Sequence, residues 1–299
     1  MAPARTDLRF PSGGTECAAW HHRGSNGAVV VMAAGTAVTK EPGTAAFGRR
    51  FAAAGFSVLA FDFRHLGGSG GAPRQVVRVP EQLADWHAAI DAAAALPEVD
   101  PARIALLGFS LSGGEVVEVA AESSRVAAAI AQTPLADGRA VTRNGLRHQR
   151  PGAALRLAGR AVRDAAGGLL GRPPLLVPLT GAPGDVAVLT TPDARDGDRA
   201  LDPDSRHPDW QQAVAARSVL ALGSYRPGRR APAVRCPLLV LACDDDQSVL
   251  AAPAVRIAAQ APAGELVRLP GSHYAPFLDA HEQAVAAELD FLRRHLLDS

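Results

Sequence analysis

An alternation constrains this chain more than any other feature. Short runs rich in Val, Ile and Leu recur between longer alanine-rich stretches whose apolar residues fall at helical spacing. Runs that are apolar at every position suit strands buried on both faces, and intervening helices supply the crossovers that parallel strands require. The alternation therefore predicts an α/β protein: a mostly parallel, doubly wound sheet with helices on both faces. Strands are expected at Ala28 to Ala33, Ser57 to Phe63, Arg103 to Phe109, Val126 to Gln132, Leu238 to Cys243 and Glu265 to Pro270. An early edge-type strand carries His21 and His22. Between these, "TAAFGRRFAAAG" reads as a helix closed by Gly55. "PEQLADWHAAIDAAAAL" reads as a helix opened by Pro80, with Leu83, Trp86, Ile90 and Ala94 on its apolar face.

The pattern is interrupted once. From Gly138 to Gly228 it is lost for roughly 95 residues, too long for a loop in a compact domain. An inserted cap is expected over residues 134–230, dividing the core into 1–133 and 231–299. Within it, Ala153 to Ala165 reads as an amphipathic helix with Leu155, Ala158 and Val162 on its apolar face. Arg156, Arg160 and Arg163 form a stripe opposite, read first as a solvated face and second as a contact for a phosphate-bearing substrate or a carrier protein. The rest of the cap, punctuated by Pro and Gly, is expected to be irregular.

Composition narrows the function classes. A net charge of +1 over 299 residues gives no basic excess for nucleic acid. No run approaches the roughly 18 apolar residues of a membrane span, so no membrane partner is expected either. Cys17, Cys236 and Cys243 lack metal-ligand spacing and read as buried or free thiols of a reducing compartment. The first residues lack the apolar stretch of a secretory signal, and a cytoplasmic location follows. No metal or cofactor is expected.

The chemistry is concentrated in "GFSLSGG", Gly108 to Gly114. A serine hydroxyl needs an adjacent base, and donors for the charge that develops on the attacked carbonyl oxygen. A sharp strand-to-helix turn supplies both, provided that the residues two before and two after the nucleophile are small. Ser110 satisfies this, with Gly108 and Ser112 at those positions, a strand before and the helical "GGEVVEVAAESS" after. The pattern G-x-S-x-G is spelled better at Gly67 to Gly71, but Ser69 lies beyond its strand with no helix following, and reads as part of a flexible loop. Ser112 as nucleophile would already lie in the first helical turn.

A base should then arrive late in the chain after a strand, and an acid after the strand before it. His273 in "LPGSHYAPF" has that placement. Among Asp244, Asp245 and Asp246, the third is best placed to turn back toward His273, and Asp246 is favoured. The oxyanion donors are expected to be the backbone N–H of Leu111 and that of Thr36, with Ala37 as the alternative to Thr36.

With these residues in hand, the chain resembles the α/β-hydrolase family over nearly its whole length. The segments "GFSLSGG", "ACDDDQSV", "GSHYAPF" and "FDFRHLGGSGGAPRQ" carry the resemblance. The last of these, with "GAPGDVAVLTTPDA" in the cap, is similar to the branch containing dienelactone-hydrolase-like proteins and polyketide transferases. The resemblance implies a Ser-Asp-His triad on Ser110, Asp246 and His273. Two departures stand out: Ala34 where many members have histidine, and Ser112 where glycine is usual.

The expected activity is acyl transfer or hydrolysis on an ester or thioester of an apolar small molecule, with a carrier protein and a homo-oligomer left open as partners. Elimination of an acyloxy group by the same site, in secondary metabolism, is one alternative. A non-catalytic binding protein of the same fold is the other.

Overall fold

The structure, a computed structural model, describes residues 5–207 and 210–298. It begins with a hairpin, β1 (Arg5–Ser12) and β2 (Thr15–His22). Gly13 and Gly14 make its two-residue turn, both at positive φ, as a turn that follows the twist of the strands requires. The alternation then runs β3 (Val29–Ala33), α1 (Lys40–Ala53), β4 (Ser57–Phe61), α2 (Val79–Ala94), β5 (Ile104–Phe109), α3 (Leu111–Glu122) and β6 (Ala128–Gln132). A segment rich in short elements follows: α4 (Gly138–His148), α5 (Pro151–Leu169), β7 (Leu176–Pro178), α6 (Asp196–Leu201), β8 (Ala213–Ala215) and α7 (Ser218–Ser224). The core resumes with β9 (Leu238–Cys243), α8 (Ala251–Gln260), β10 (Gly264–Leu269) and α9 (His281–Leu296).

Eight strands form one sheet in the order β1-β2-β4-β3-β5-β6-β9-β10. Only β1 and β2 run antiparallel to their neighbours. β2, which carries His21 and His22, is not an edge: β1 covers one side and β4 the other. Arg5, Asp7 and Arg9 alternate along β1, which therefore carries no apolar run.

From β3 the chain goes to β4 on one side and then to β5 on the other, so the ends of β3 and β5 border a crevice. Ala33 pairs with Gly108, which sets the loop after β3 beside the turn after β5. Side chains of α2 and α3, including Trp86, Ile90, Val116 and Val117, cover one face of the sheet. Phe47, Phe51, Phe291 and Leu292 of α1 and α9 cover the other.

One buried group marks a cost within this core. The Glu288 carboxyl on α9 lies fully out of water, its Oε1 accepting from Gln132 Nε2 at 2.8 Å and its Oε2 unpartnered. Burial raises its pKa from 4.5 to about 8. The unfolded chain releases this proton near the lower value and the folded chain near the higher, so stability falls as pH rises through that window. Glu288→Gln, which never ionises, is expected to raise Tm by several degrees at about pH 8.5 and to change it little near pH 5. Thermal unfolding at the two pH values checks this; an equal shift at both would rule it out.

The cap differs from its expectation in two respects. Its second half is built of short elements, with β7 paired to β8, where irregular chain is expected. In α5 the buried side is Ala153, Ala161 and Asp164, whereas Leu155 and Val162 face outward. Alanines line the inner side because that side borders a cavity, and Asp164 is held there by Arg217 Nη2 at 2.8 Å. The loop around Ser69 is tied to its neighbours by hydrogen bonds. Ser69 is buried, donating to the Asp62 carbonyl at 2.6 Å and accepting from Ala18 N–H at 2.7 Å. Asp62 in turn takes Lys40 Nζ and Gly68 N–H. No helix among the described residues is long and apolar enough to cross a membrane.

Candidate active site

β5 ends in Phe109, and Ser110 turns the chain directly into α3 with φ 58° and ψ −116°. A side chain in such a conformation costs about 1–3 kcal/mol and persists only where its surroundings hold it. Here the Ser110 N–H donates to Gln132 O at 3.0 Å, and the Ser110 carbonyl accepts from Leu135 N–H at 2.8 Å and Gly114 N–H at 3.1 Å. A Cβ on Gly108 would lie 2.2 Å from the Ser112 carbonyl oxygen, so strand and helix are in contact where small residues are demanded.

His273 follows β10, and its Nε2 lies 3.1 Å from Ser110 Oγ. Its Nδ1 lies 2.8 Å from Asp246 Oδ2, while Asp246 Oδ1 accepts from Val249 N–H at 2.8 Å. Asp244 turns away to Arg268 on the surface, and Asp245 is exposed. The structure thus brings Ser110, His273 and Asp246 into one hydrogen-bonded chain and leaves the other two aspartates and Ser69 outside it. Burial alone would push the His273 pKa down; the charge and hydrogen bond of Asp246, with Asp193 adding to them, hold it above the ordinary imidazole value.

Asp193 escapes sequence reasoning. It belongs to the cap, yet its Oδ2 accepts from Gln247 N–H at 2.9 Å, Ser248 N–H at 3.1 Å and His273 N–H at 3.4 Å. Its Oδ1 accepts from Ser248 Oγ at 2.9 Å. One buried carboxylate therefore ties the cap to the loops that carry both Asp246 and His273. The only signal for it is its place within the cap segment "GAPGDVAVLTTPDA".

The loop after β3 is fixed from both ends. Trp210 Nε1 donates to Ala37 O at 3.0 Å, and Ser112 Oγ donates to Ala34 O. A Cβ on Gly35 would lie 3.1 Å from Ser110 Cβ, so this loop passes immediately over the serine. Its Thr36 N–H makes no backbone hydrogen bond among the described residues, and Leu111 N–H is a free first-turn donor of α3.

The departures at Ala34 and Ser112 thus meet in one hydrogen bond. Beside this bond to Ala34, Ser112 Oγ lies 3.3 Å from Glu115 Oε2. Full burial raises the Glu115 pKa well above the usual carboxylate range, and Trp86 Nε1 donates to the same oxygen at 3.2 Å. Ser112→Gly, which restores the residue common at this position, is expected to lower kcat about 10- to 100-fold with little change in KM, less than deleting an oxyanion donor outright. Steady-state kinetics with an unchanged kcat would show that the loop is held by other means.

A cavity of about 610 Å³ opens above Ser110. Gly35, Thr36 and Ser110 form its floor, and Leu135, Leu157, Leu179, Leu201 and Trp210 line its walls. Such a site can expose a nucleophile to an apolar acyl group.

A model described as the alpha/beta hydrolase family matches residues 30–288. The quorum-quenching protein AidA of Acinetobacter baumannii (strain MDR-ZJ06) is 36% identical over 296 residues, covering 97% of this chain and 95% of that protein. Polyketide transferase af380 of Aspergillus fumigatus is 32% identical over 187 residues, 60% of this chain and 59% of that one. The crystal structure of the alpha/beta hydrolase GrgF from Penicillium sp. sh18 superposes with a TM-score of 0.81 at 23% identity, covering 98% of this chain and 99% of that one.

Proposed function

The chain belongs to the alpha/beta hydrolase family, and on that premise we propose that it is a serine hydrolase or acyltransferase acting on an ester or thioester of an apolar small molecule. The observation that carries this reading is the chain Ser110 Oγ, His273, Asp246 at the floor of an apolar cavity. His273 Nε2 takes the Ser110 proton as Oγ attacks the carbonyl carbon. The oxyanion is held by the N–H groups of Leu111 and Thr36. Collapse breaks the bond to the leaving alcohol or thiol, which departs with the proton from His273. Water or a second alcohol then attacks the acyl-serine by the same route, and Asp246 holds the imidazole in the required tautomer throughout.

The likeness to a quorum-quenching protein over nearly the full length favours a diffusible small molecule as substrate. A thioester donor on a carrier protein and action in the cytoplasm belong to the same proposal; three unpaired thiols, all buried, accord with the latter.

A fluorophosphonate probe is expected to add its mass to the wild-type protein and not to Ser110→Ala. A series of p-nitrophenyl esters and acyl thioesters should then show kcat/KM rising with acyl length. Equal labelling of both proteins would overturn the reading. Turnover to an alkene without an acyl-enzyme would identify elimination instead.

A further inference from the structure

The outer side of the cap serves none of the chemistry above. Residues 138–172 hold eight arginines and one acidic residue, Asp164, which is buried against Arg217. The remainder of the chain holds 23 basic and 29 acidic residues, so positive charge is segregated here and a general abundance of arginine does not account for it. Arg139, Arg143 and Arg147 run along α4, and Arg156, Arg160 and Arg163 along α5; all six are exposed. Among the described residues none of the six pairs with a carboxylate, and Arg156 reaches only the Gly184 carbonyl.

Large apolar side chains stand among these charges. Leu155, Val162 and Leu169 recur every seventh residue of α5 and are 75%, 61% and 90% exposed. They form a line about 21 Å long. Leu170, Leu146 and Leu220 extend the same apolar exposure to the end of α5, to α4 and to α7. Leu155 and Val162 belong to the apolar face expected from the sequence, and no described residue covers them. The opening of the cavity lies in the same region, since Leu146, Ala158 and Leu220 both line the cavity and reach solvent.

We propose that the α4–α5 face lies on an anionic membrane surface, its arginines on lipid phosphates and its leucines among the acyl chains. A second copy of the chain is a poor occupant, because like-charged arginine stripes would face each other. A fluid apolar layer accepts protruding leucines without a matching shape. The lack of a spanning segment, from which no membrane partner is expected, concerns crossing a bilayer and leaves lying against one open. Docking in this orientation opens the cavity toward the layer in which an apolar ester is most concentrated.

Co-sedimentation of the full chain with lipid vesicles tests this without any need for turnover, so Ser110→Ala should bind as the wild type does. Binding is expected to vesicles of phosphatidylcholine with phosphatidylglycerol, to weaken as salt is raised, and to be absent with phosphatidylcholine alone. Arg156→Gln/Arg160→Gln/Arg163→Gln should lower partitioning roughly 100-fold, and Leu155→Ser/Val162→Ser/Leu169→Ser at least about tenfold. Both variants should keep wild-type rates on a water-soluble short-chain ester, since none of these six residues lines the cavity. No binding to anionic vesicles at low salt, equal binding by the variants, or binding only to an acidic carrier protein would overturn the proposal.

Discussion

Ser110→Ala is expected to lower kcat roughly ten-thousand- to million-fold while KM stays within a few-fold, because the hydroxyl acts in the transition state and contributes little to holding substrate. His273→Ala should cost about as much. Its Nε2 is 3.1 Å from the serine oxygen, and among the described residues no other side chain hydrogen-bonds that oxygen to take the proton. The double variant should be no worse than either single one, since base and nucleophile act as a unit. Initial rates on one ester across the three variants decide the matter. Additive losses, or a Ser110→Ala protein of near-normal rate, would remove Ser110 from the mechanism.

Asp246→Asn is expected to cost about ten-thousand-fold in kcat. An amide in place of Oδ2 donates to His273 Nδ1, moves the imidazole proton to Nε2, and so turns a donor toward Ser110 where an acceptor is needed. Asp193→Asn should behave differently. Its amide oxygen can still accept from the Gln247 and Ser248 N–H groups, so the loss in kcat should be nearer tenfold, but the charge is gone. His273 must be neutral to act as base, and its raised pKa puts the acidic limb of kcat/KM above the ordinary imidazole value. Removing the Asp193 charge should move that limb to lower pH. A pH profile in which Asp193→Asn leaves the limb in place would restrict Asp193 to a purely structural tie.

Five of the six expected strands, β3, β4, β5, β6 and β9, were legible because burial on both faces leaves a simple mark, a nearly unbroken apolar run, whereas β10 at the sheet edge carries Glu265 and Arg268 and was legible only from its Leu and Val. The site turn was legible for a steric reason, and the close approach of Gly108 to Ser112 is that same demand seen in space. β1 was not legible, since an outer strand with one wet face alternates arginine and aspartate with its apolar residues. In α5 the apolar periodicity does not mark the buried side: a helix that walls a cavity turns alanines inward, and its larger side chains Leu155 and Val162 remain outside. Asp193 could not be found by spacing, because its partners Gln247, Ser248 and His273 lie more than fifty residues away and are mostly backbone donors.

The carboxylate of Asp193 bears on how such proteins diversify. An inserted segment of this kind invites the view that pocket walls are interchangeable modules, swapped among relatives to acquire new substrates. Here the insert contributes a buried anchor for the acid and histidine loops, and Trp210 from the same insert grips the loop over the serine. A chimera that imports a foreign cap without an aspartate and an indole at equivalent places is expected to gain a different pocket and to loosen the placement of Asp246, His273 and the loop over Ser110. The shape of the pocket and the placement of Ser110, Asp246 and His273 therefore depend on one segment, so substitution inside that segment disturbs the placement less than its replacement does.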